Sequence, residues 1–254
     1  MKRLFPLNLK ISCWTIGVWL ILYSLGAGKI VFFCYGIMFL HELAHICAAL
    51  FFGHKIEKVT VYPFGLCAQI QQTHSLHLFQ RILLYGAGPF VHICMFIILE
   101  VLLKMHFISV VMSDYLCQIN LNYLLFNCLP VFPLDGYHLF HALFLVVLPY
   151  RKALYMSCIL SFAGIGFLWL MNPNSLIYLI CTVILLMINI MNCASMQRQI
   201  RMFYLSRYLH PETYKDKYHF CDDLFVYCTN WMNVNGKIIS EKQMLKKILK
   251  LEGK

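Results

Sequence analysis

The chain has 254 residues, of which 61% are apolar and 13% charged, and its mean hydropathy is +0.69. Soluble domains are about half apolar and a quarter charged, so this composition excludes an ordinary soluble fold and predicts a polytopic membrane protein. The net charge of +10 then fits lysines and arginines beside anionic membrane lipid better than nucleic-acid binding. The 12 cysteines include no C-x-x-C pair, so neither a disulfide framework nor a thiolate zinc site is expected.

Six apolar runs are candidates to cross a bilayer, which takes about 20 residues of helix. They are residues 11–27, 30–52, 81–103, 115–148, 153–171 and 175–194. The first is interpreted as a membrane helix, because no small-residue cleavage site follows it. The fourth is too long for one ideal helix and contains Pro130 and Pro133, so a broken or kinked span is expected. The predicted fold class is an all-α polytopic membrane protein with about six transmembrane helices.

Basic residues cluster before the first run, after the second, between the fourth and fifth, and after the last. Cytoplasmic loops carry the excess of lysine and arginine, so both termini are predicted to be cytoplasmic. Residues 1–196 would then form a transmembrane domain and residues 197–254 a short basic cytoplasmic tail. The tail is too short for a sizeable core of its own, and its end has the pattern of a basic amphipathic helix.

Residues 55–71, directly after the second run, are rich in β-branched and aromatic side chains. Pro63 and Gly65 supply turn residues in the middle of this segment. Such a pattern predicts a small membrane-associated β-hairpin after the second span.

The second run contains the sequence H-E-L-A-H at residues 41–45. On a helix His41 and His45 share one face, where two imidazoles can bind one Zn²⁺ and Glu42 can take a proton from water. Ionisable residues are costly inside a membrane, about 2.5–3.5 kcal/mol for an acid at the helix centre, which favours a functional site over histidines that fill space. Zinc needs a third protein ligand, and Asp135 offers one, with a helix-end cap or turn residue as the alternative.

Other residues near these segments have weaker claims. His92, His138 and His141 could be further ligands or proton relays, but a packing or interfacial role is favoured. Gly86 and Gly88 are expected to allow a neighbouring backbone to approach closely, with a substrate groove as the alternative.

Two paired motifs carry a family resemblance. H-E-x-x-H in one membrane helix, followed by N-x-x-P-x-x-P-L-D-G at residues 127–136, resembles the site-2 protease family of intramembrane zinc metalloproteases. The segments Y-P-F-G at residues 62–65 and G-A-G-P-F-V-H at residues 86–92 are similar to the stage IV sporulation protein FB branch.

This resemblance implies a role for each motif residue. His41, His45 and Asp135 would hold Zn²⁺, and Glu42 would be the general base. Asn127 would help to hold the substrate or stabilise the oxyanion. The chain would then be a zinc metalloendopeptidase that cuts a protein in or beside the membrane.

The resemblance also implies a setting, a bacterial inner or forespore-type membrane. In the sporulation branch the substrate would be a pro-sigma factor, and a membrane regulatory partner would be involved. The alternative is a non-catalytic membrane protein, either a metal transporter or an inactive family member that acts as a scaffold. A transporter would spread metal-binding groups along a path through several spans, whereas here they cluster at one depth, and an intact Glu42 argues against an inactive member.

A protease must also extend its substrate, because a helical peptide bond is shielded from water. An extended strand could add to an edge of the predicted hairpin, and Val61 is expected to lie at such an edge. The alternative is a hairpin that only rests at the membrane interface.

Overall fold

The structure is a computed structural model that describes residues 9–11, 13–24, 26, 28–54, 56–62, 65–70, 77–171, 176–209, 216–219, 223–234 and 237–249. Several positions used above lie outside the described residues, among them Ala27, Lys55, Pro63, Phe64, Gln71 and Ser175. The chain divides into two compact units, Met1–Ser75 with Phe79–Cys128, and Leu76–Leu78 with Leu129–Lys254.

The first unit is built from four helices and one small sheet. The helices are α1 (Cys13–Ser24), α2 (Gly28–Phe51), α3 (Leu78–Lys104) and α4 (Val110–Cys128). The strands are β1 (Leu9–Ile11), β2 (Ile56–Tyr62) and β3 (Gly65–Ile70).

The predicted hairpin is confirmed as the antiparallel pair of β2 and β3. β1 adds to it in parallel, so that the strand order is β1-β2-β3. Val61 therefore lies in the central strand, paired with Ile11 on one side and Leu66 on the other, and the expectation that it lies at an edge is wrong. The error arises because β1 comes from a distant part of the sequence, which no local pattern reveals. Among the described strands, β3 has an unpaired edge.

Helix α2 buries its two histidines and exposes several of its large apolar residues. His41 and His45 are 5% and 7% exposed, whereas Phe39 and Phe51 are 55% and 84% exposed. Ionisable groups inside a membrane face the protein interior, and apolar side chains on the outside of such a helix face lipid. The distribution is that of a membrane helix.

The second unit combines helices with a second small sheet. Its helices are α5 (Asp135–Val147), α6 (Tyr150–Met171), α7 (Leu176–Leu209) and α8 (Glu241–Ile248), and its strands are β4 (Asp216–His219), β5 (Thr229–Val234) and β6 (Lys237–Ser240). β4 pairs with β5 in parallel and β5 with β6 antiparallel. This sheet was not predicted, so the chain is mostly helical rather than all-α. One disulfide, Cys158–Cys193, joins α6 and α7, which the cysteine spacing did not predict either.

Four helices of the described residues are long and apolar enough to cross a membrane: Phe32–Phe51, Leu78–Lys104, Tyr150–Met171 and Tyr178–Leu209. With α1 at 12 residues and α5 at 13, six spans remain a prediction. The break in the fourth run is confirmed, because α4 ends at Cys128 and α5 begins at Asp135. These four helices are those of an integral membrane protein.

The tail shares its core with α6 and α7. Leu224 and Leu245 pack in one buried cluster with Tyr150 and Phe203. The predicted amphipathic helix is α8, which buries Met244 and Leu245 and exposes its lysines.

Two carboxylates fasten the tail to these helices. Asp223 accepts hydrogen bonds from the Tyr204 hydroxyl at 2.7 Å and from the backbone N–H of Arg151 at 3.1 Å, so it caps the start of α6. Arg207, near the end of α7, pairs with Glu241 at 2.7 Å, and both side chains are largely buried. The tail is therefore a folded extension of α7.

Candidate metal centre

The two motif histidines meet at their Nε2 atoms. The spacing along α2 brings His41 Nε2 to 3.1 Å from His45 Nε2, and both side chains are buried. Two nitrogen ligands of a tetrahedral zinc lie about 3.3 Å apart, given Zn–N bonds of about 2.0–2.1 Å. The pair is therefore spaced as one metal ion requires.

Helix α3 fixes the protonation of His45. The Nδ1 atom of His45 lies 2.7 Å from the backbone carbonyl oxygen of Leu84. A carbonyl only accepts hydrogen bonds, so a neutral His45 carries its proton on Nδ1 and a lone pair on Nε2. That lone pair faces His41 Nε2, and a cation would satisfy both nitrogens. The donor set therefore fits a metal ion.

Gly88 makes the room for this arrangement. A Cβ atom at Gly88 would lie 2.6 Å from His41 Nε2 and closer still to His45 Nε2, so any side chain here would displace both imidazoles. A Cβ at Gly86 would meet nothing within 4 Å. Of the two glycines expected to allow close approach, only Gly88 does so.

His41 also has a partner on its other nitrogen. Its Nδ1 lies 3.0 Å from His92 Nε2, and His92 Nδ1 lies 2.7 Å from Asn120 Oδ1. His92 and Asn120 are both 0% exposed. Packing or interfacial contact was favoured for His92, but the structure gives it hydrogen bonds on both ring nitrogens. Asn120 was missed, and its only signal is a polar residue within an apolar helix.

Asp135 is placed by an irregular segment rather than by a continuous helix. It is the first residue of α5 and follows Leu134, which occupies the N-cap position without a side-chain hydrogen bond. Negative charge is favourable at a helix N-terminus. Asp135 is half-buried, and the start of α5 favours its negative charge.

Two buried side chains hold the segment before Asp135. Ser161 on α6 accepts a hydrogen bond from the Phe132 N–H at 3.0 Å, and Asn189 on α7 donates to the Phe132 carbonyl at 2.9 Å. Ser161 also donates to the Asn189 side chain. Irregular backbone at membrane depth must have its polar groups satisfied by protein, and these two residues do so three positions before Asp135.

The remaining predicted residues, Glu42 and Asn127, both lie in the first unit. Glu42 follows His41 on α2 and is half-buried. Asn127 lies in the last turn of α4, where its amide donates to the Tyr123 carbonyl at 3.1 Å. Of the three predicted metal ligands, His41 and His45 lie in the first unit and Asp135 in the second.

The other two histidines lie against aromatic rings of their own unit. His138 makes edge contacts with the rings of Phe132 and Tyr137. His141 stacks on Tyr137, and its Nδ1 lies 2.9 Å from the Ser157 hydroxyl.

No family model matches this sequence. The chain is 32% identical over 117 residues to the stage IV sporulation protein FB of Bacillus subtilis (strain 168), which is 46% of this chain and 41% of that protein. The match thus spans about two fifths of the relative's length. The structure is similar to the site-2 protease of Methanocaldococcus jannaschii, with a TM-score of 0.51, 21% identity, and coverage of 75% of this chain and 89% of that one. The chain therefore has a site-2 protease fold, and its expected resemblance to that family, in the branch of the sporulation protein FB, is confirmed.

Proposed function

We propose that this chain is an intramembrane zinc metalloprotease, as the sequence resemblance implies. The observation that carries the proposal is the pair of buried Nε2 atoms 3.1 Å apart, one of which bears a lone pair because of the Leu84 carbonyl. His41, His45 and Asp135 would hold the ion. Two imidazoles and a carboxylate form a donor set that zinc favours in catalytic sites, which leave one position open.

Zn²⁺ at these residues would polarise the scissile carbonyl and make water a stronger nucleophile near neutral pH. Glu42 would take the proton from the attacking water and later give it to the nitrogen of the leaving amine. The amide of Asn127 would orient the substrate or donate to the developing oxyanion. Because Gly88 has no side chain, the space beside the two imidazoles stays open.

The substrate class follows from where the site lies. The histidines sit in a helix that is apolar on its outer face, so a protein segment in or beside the membrane could reach them. Following the sporulation branch, we infer a pro-sigma factor as the substrate and a membrane protein as the regulatory partner. The basic clusters favour cytoplasmic termini. Inverted membrane vesicles expose the cytoplasmic face, so added protease should digest the tail there if this topology is correct.

Glu42→Gln separates chemistry from metal binding. The variant should keep zinc at the wild-type stoichiometry, because its ligands are intact. Cleavage of a pro-sigma factor reconstituted with the enzyme in liposomes should fall about 10²- to 10⁴-fold, the usual contribution of a general base. Metal analysis of the purified protein and a gel assay of cleavage measure the two quantities.

Glu100→Gln is the matched control. Glu100 is the other glutamate of a membrane-length helix in the described residues, and it pairs with Lys104 at 2.7 Å on an exposed face. It should cleave normally. Unchanged turnover in Glu42→Gln would contradict the protease mechanism, and normal zinc binding without cleavage in the wild type would favour a transporter or scaffold.

A further inference from the structure

A chain of hydrogen bonds leads from Asn120 on α4, through His92 on α3, to His41 on α2. Asn120 Nδ2 donates to the backbone carbonyl oxygen of His92 at 2.8 Å. Asn120 Oδ1 lies 2.7 Å from His92 Nδ1, and His92 Nε2 lies 3.0 Å from His41 Nδ1. Both Asn120 and His92 are completely buried, so these hydrogen bonds are shielded from water.

These contacts fix the direction of each hydrogen bond. A backbone carbonyl can only accept, so the Asn120 amide nitrogen must face it and the amide oxygen must face His92 Nδ1. His92 Nδ1 therefore carries a proton. A neutral imidazole has one donor and one acceptor, so His92 Nε2 accepts from His41 Nδ1–H. The lone pair of a neutral His41 is then on Nε2, the atom that faces His45.

We propose that the Asn120–His92 pair is the positioning device of the metal centre: it holds His41 in the tautomer and ring orientation that a metal ion requires. The proposal rests on the proposed metal-binding function. Hydrogen bonds to the second nitrogen of a ligating histidine set its tautomer, orientation and basicity, and burial strengthens them. The backbone carbonyl of Leu84 fixes the tautomer and orientation of His45 in the same way. No side-chain substitution can remove that carbonyl. Only the hydrogen bonds that lead to His41 through the side chains of His92 and Asn120 can therefore be tested by substitution.

Metal affinity measures this role without reference to catalysis. The full-length protein is purified without metal, and its Zn²⁺ affinity is determined by competition with a chelator. Asn120→Leu and His92→Leu should each weaken Zn²⁺ binding about 10- to 100-fold, the usual effect of losing such a partner. The absorption spectrum of the Co²⁺-loaded protein should change in both variants, because His41 is no longer held in place.

Two further variants distinguish positioning from packing. Asn120→Asp keeps an oxygen that accepts from His92 Nδ1–H, so it should bind Zn²⁺ within a few-fold of the wild type. A packing role gives the opposite order, because a buried leucine is tolerated and a buried acid is not. Asn122→Leu, at an exposed position on the same helix, is the matched control and should bind normally.

The outcomes separate this inference from the proposed function. Wild-type protein that binds neither Zn²⁺ nor Co²⁺ would overturn the metal site and the positioning role together. Wild-type binding with equally tight binding by Asn120→Leu would overturn the positioning role alone. Because a leucine variant could fail to fold, ¹⁵N chemical shifts of the histidines are also measured in the metal-free wild type. Protonation of His92 at Nε2 instead of Nδ1 would overturn the inference.

Discussion

The helix that carries H-E-L-A-H and the segment that carries Asp135 solve the same problem in different ways. On α2, helical periodicity alone places His41 and His45 on one face. Between α4 and α5 the chain is irregular, and Phe132 is held by Ser161 and Asn189, which lie 29 and 57 residues away in sequence. One ligand pair depends on local structure, and the proposed third ligand depends on tertiary contacts.

This difference affects how each region responds to mutation. Several apolar side chains of α2 are exposed and lie away from the site, so apolar exchanges there should leave the histidine pair intact. The segment before Asp135 has no helix to restore its geometry once a clamping side chain is lost. On α2, zinc binding should therefore be sensitive mainly to substitution of the histidines themselves. For Asp135, it should also be sensitive to substitutions on α6 and α7.

The largest effect is expected from Asp135→Ala, which removes the proposed third ligand outright. Zinc should no longer copurify with the protein, and cleavage should be abolished, because two histidines alone bind weakly. Metal analysis and the liposome assay measure both losses. Asp114→Ala, which removes an exposed acid on α4, is the control and should retain both. Full zinc occupancy in Asp135→Ala would refute the ligand assignment and, with it, the comparison of the two regions.

Gly88→Ala, on the neighbouring helix α3, tests the histidine pair of α2. The added Cβ would overlap both imidazoles, and such overpacking typically costs about 1–3 kcal/mol, so zinc affinity should fall about 10- to 100-fold. Gly86→Ala is the matched control, because the same methyl group would meet nothing within 4 Å. Equal zinc affinities for the two variants, measured by chelator competition, would show that Gly88 is not needed for close packing.

Asn189→Leu tests the clamped segment. The substitution leaves the Phe132 carbonyl without its Asn189 donor, at a cost of about 1–3 kcal/mol, and zinc affinity should fall about 10-fold as Asp135 loses its fixed position. Thermal unfolding and chelator competition measure the two effects. Thr182→Val on the same helix is the control, because the hydroxyl of this buried residue donates a hydrogen bond to the backbone carbonyl of Leu179 in its own helix. A variant that unfolds earlier but binds zinc normally would mean that the clamp serves stability alone.

The smallest effect is expected at the sheet, where β3 is the edge to which a substrate strand could add. Adjacent residues in a strand point their N–H groups to opposite sides, so proline at Cys67 and at Ala68 in turn should remove one hydrogen bond to β2 and one outward N–H. The outward variant should fold, bind zinc and cleave about 2- to 10-fold more slowly, the value of one hydrogen bond. Wild-type turnover in both folded variants would rule out strand addition at this edge. Val61 cannot serve in this test, because a proline there would disrupt the central strand.

What the sequence determined by itself was local or compositional. Apolar run length predicted the membrane helices, the i, i+4 spacing predicted the histidine pair, and two prolines predicted the break before Asp135. A segment rich in β-branched and aromatic residues, with turn residues in its middle, predicted the β2–β3 hairpin. Each of these follows from neighbours along the chain, so no knowledge of packing was needed.

Tertiary structure decided which distant residues support those local features. His92 and Asn120 differ from ordinary buried polar residues because the packing of α2, α3 and α4 brings them into hydrogen-bond contact with His41 and with each other. Gly88 and Gly86 look alike in sequence, yet only one faces the imidazoles. The parallel addition of β1, which moved Val61 from an edge to the centre, likewise joins segments about 50 residues apart. Hydrogen bonds and close contacts over such separations depend on how helices and strands pack, and that information is not present in any local pattern.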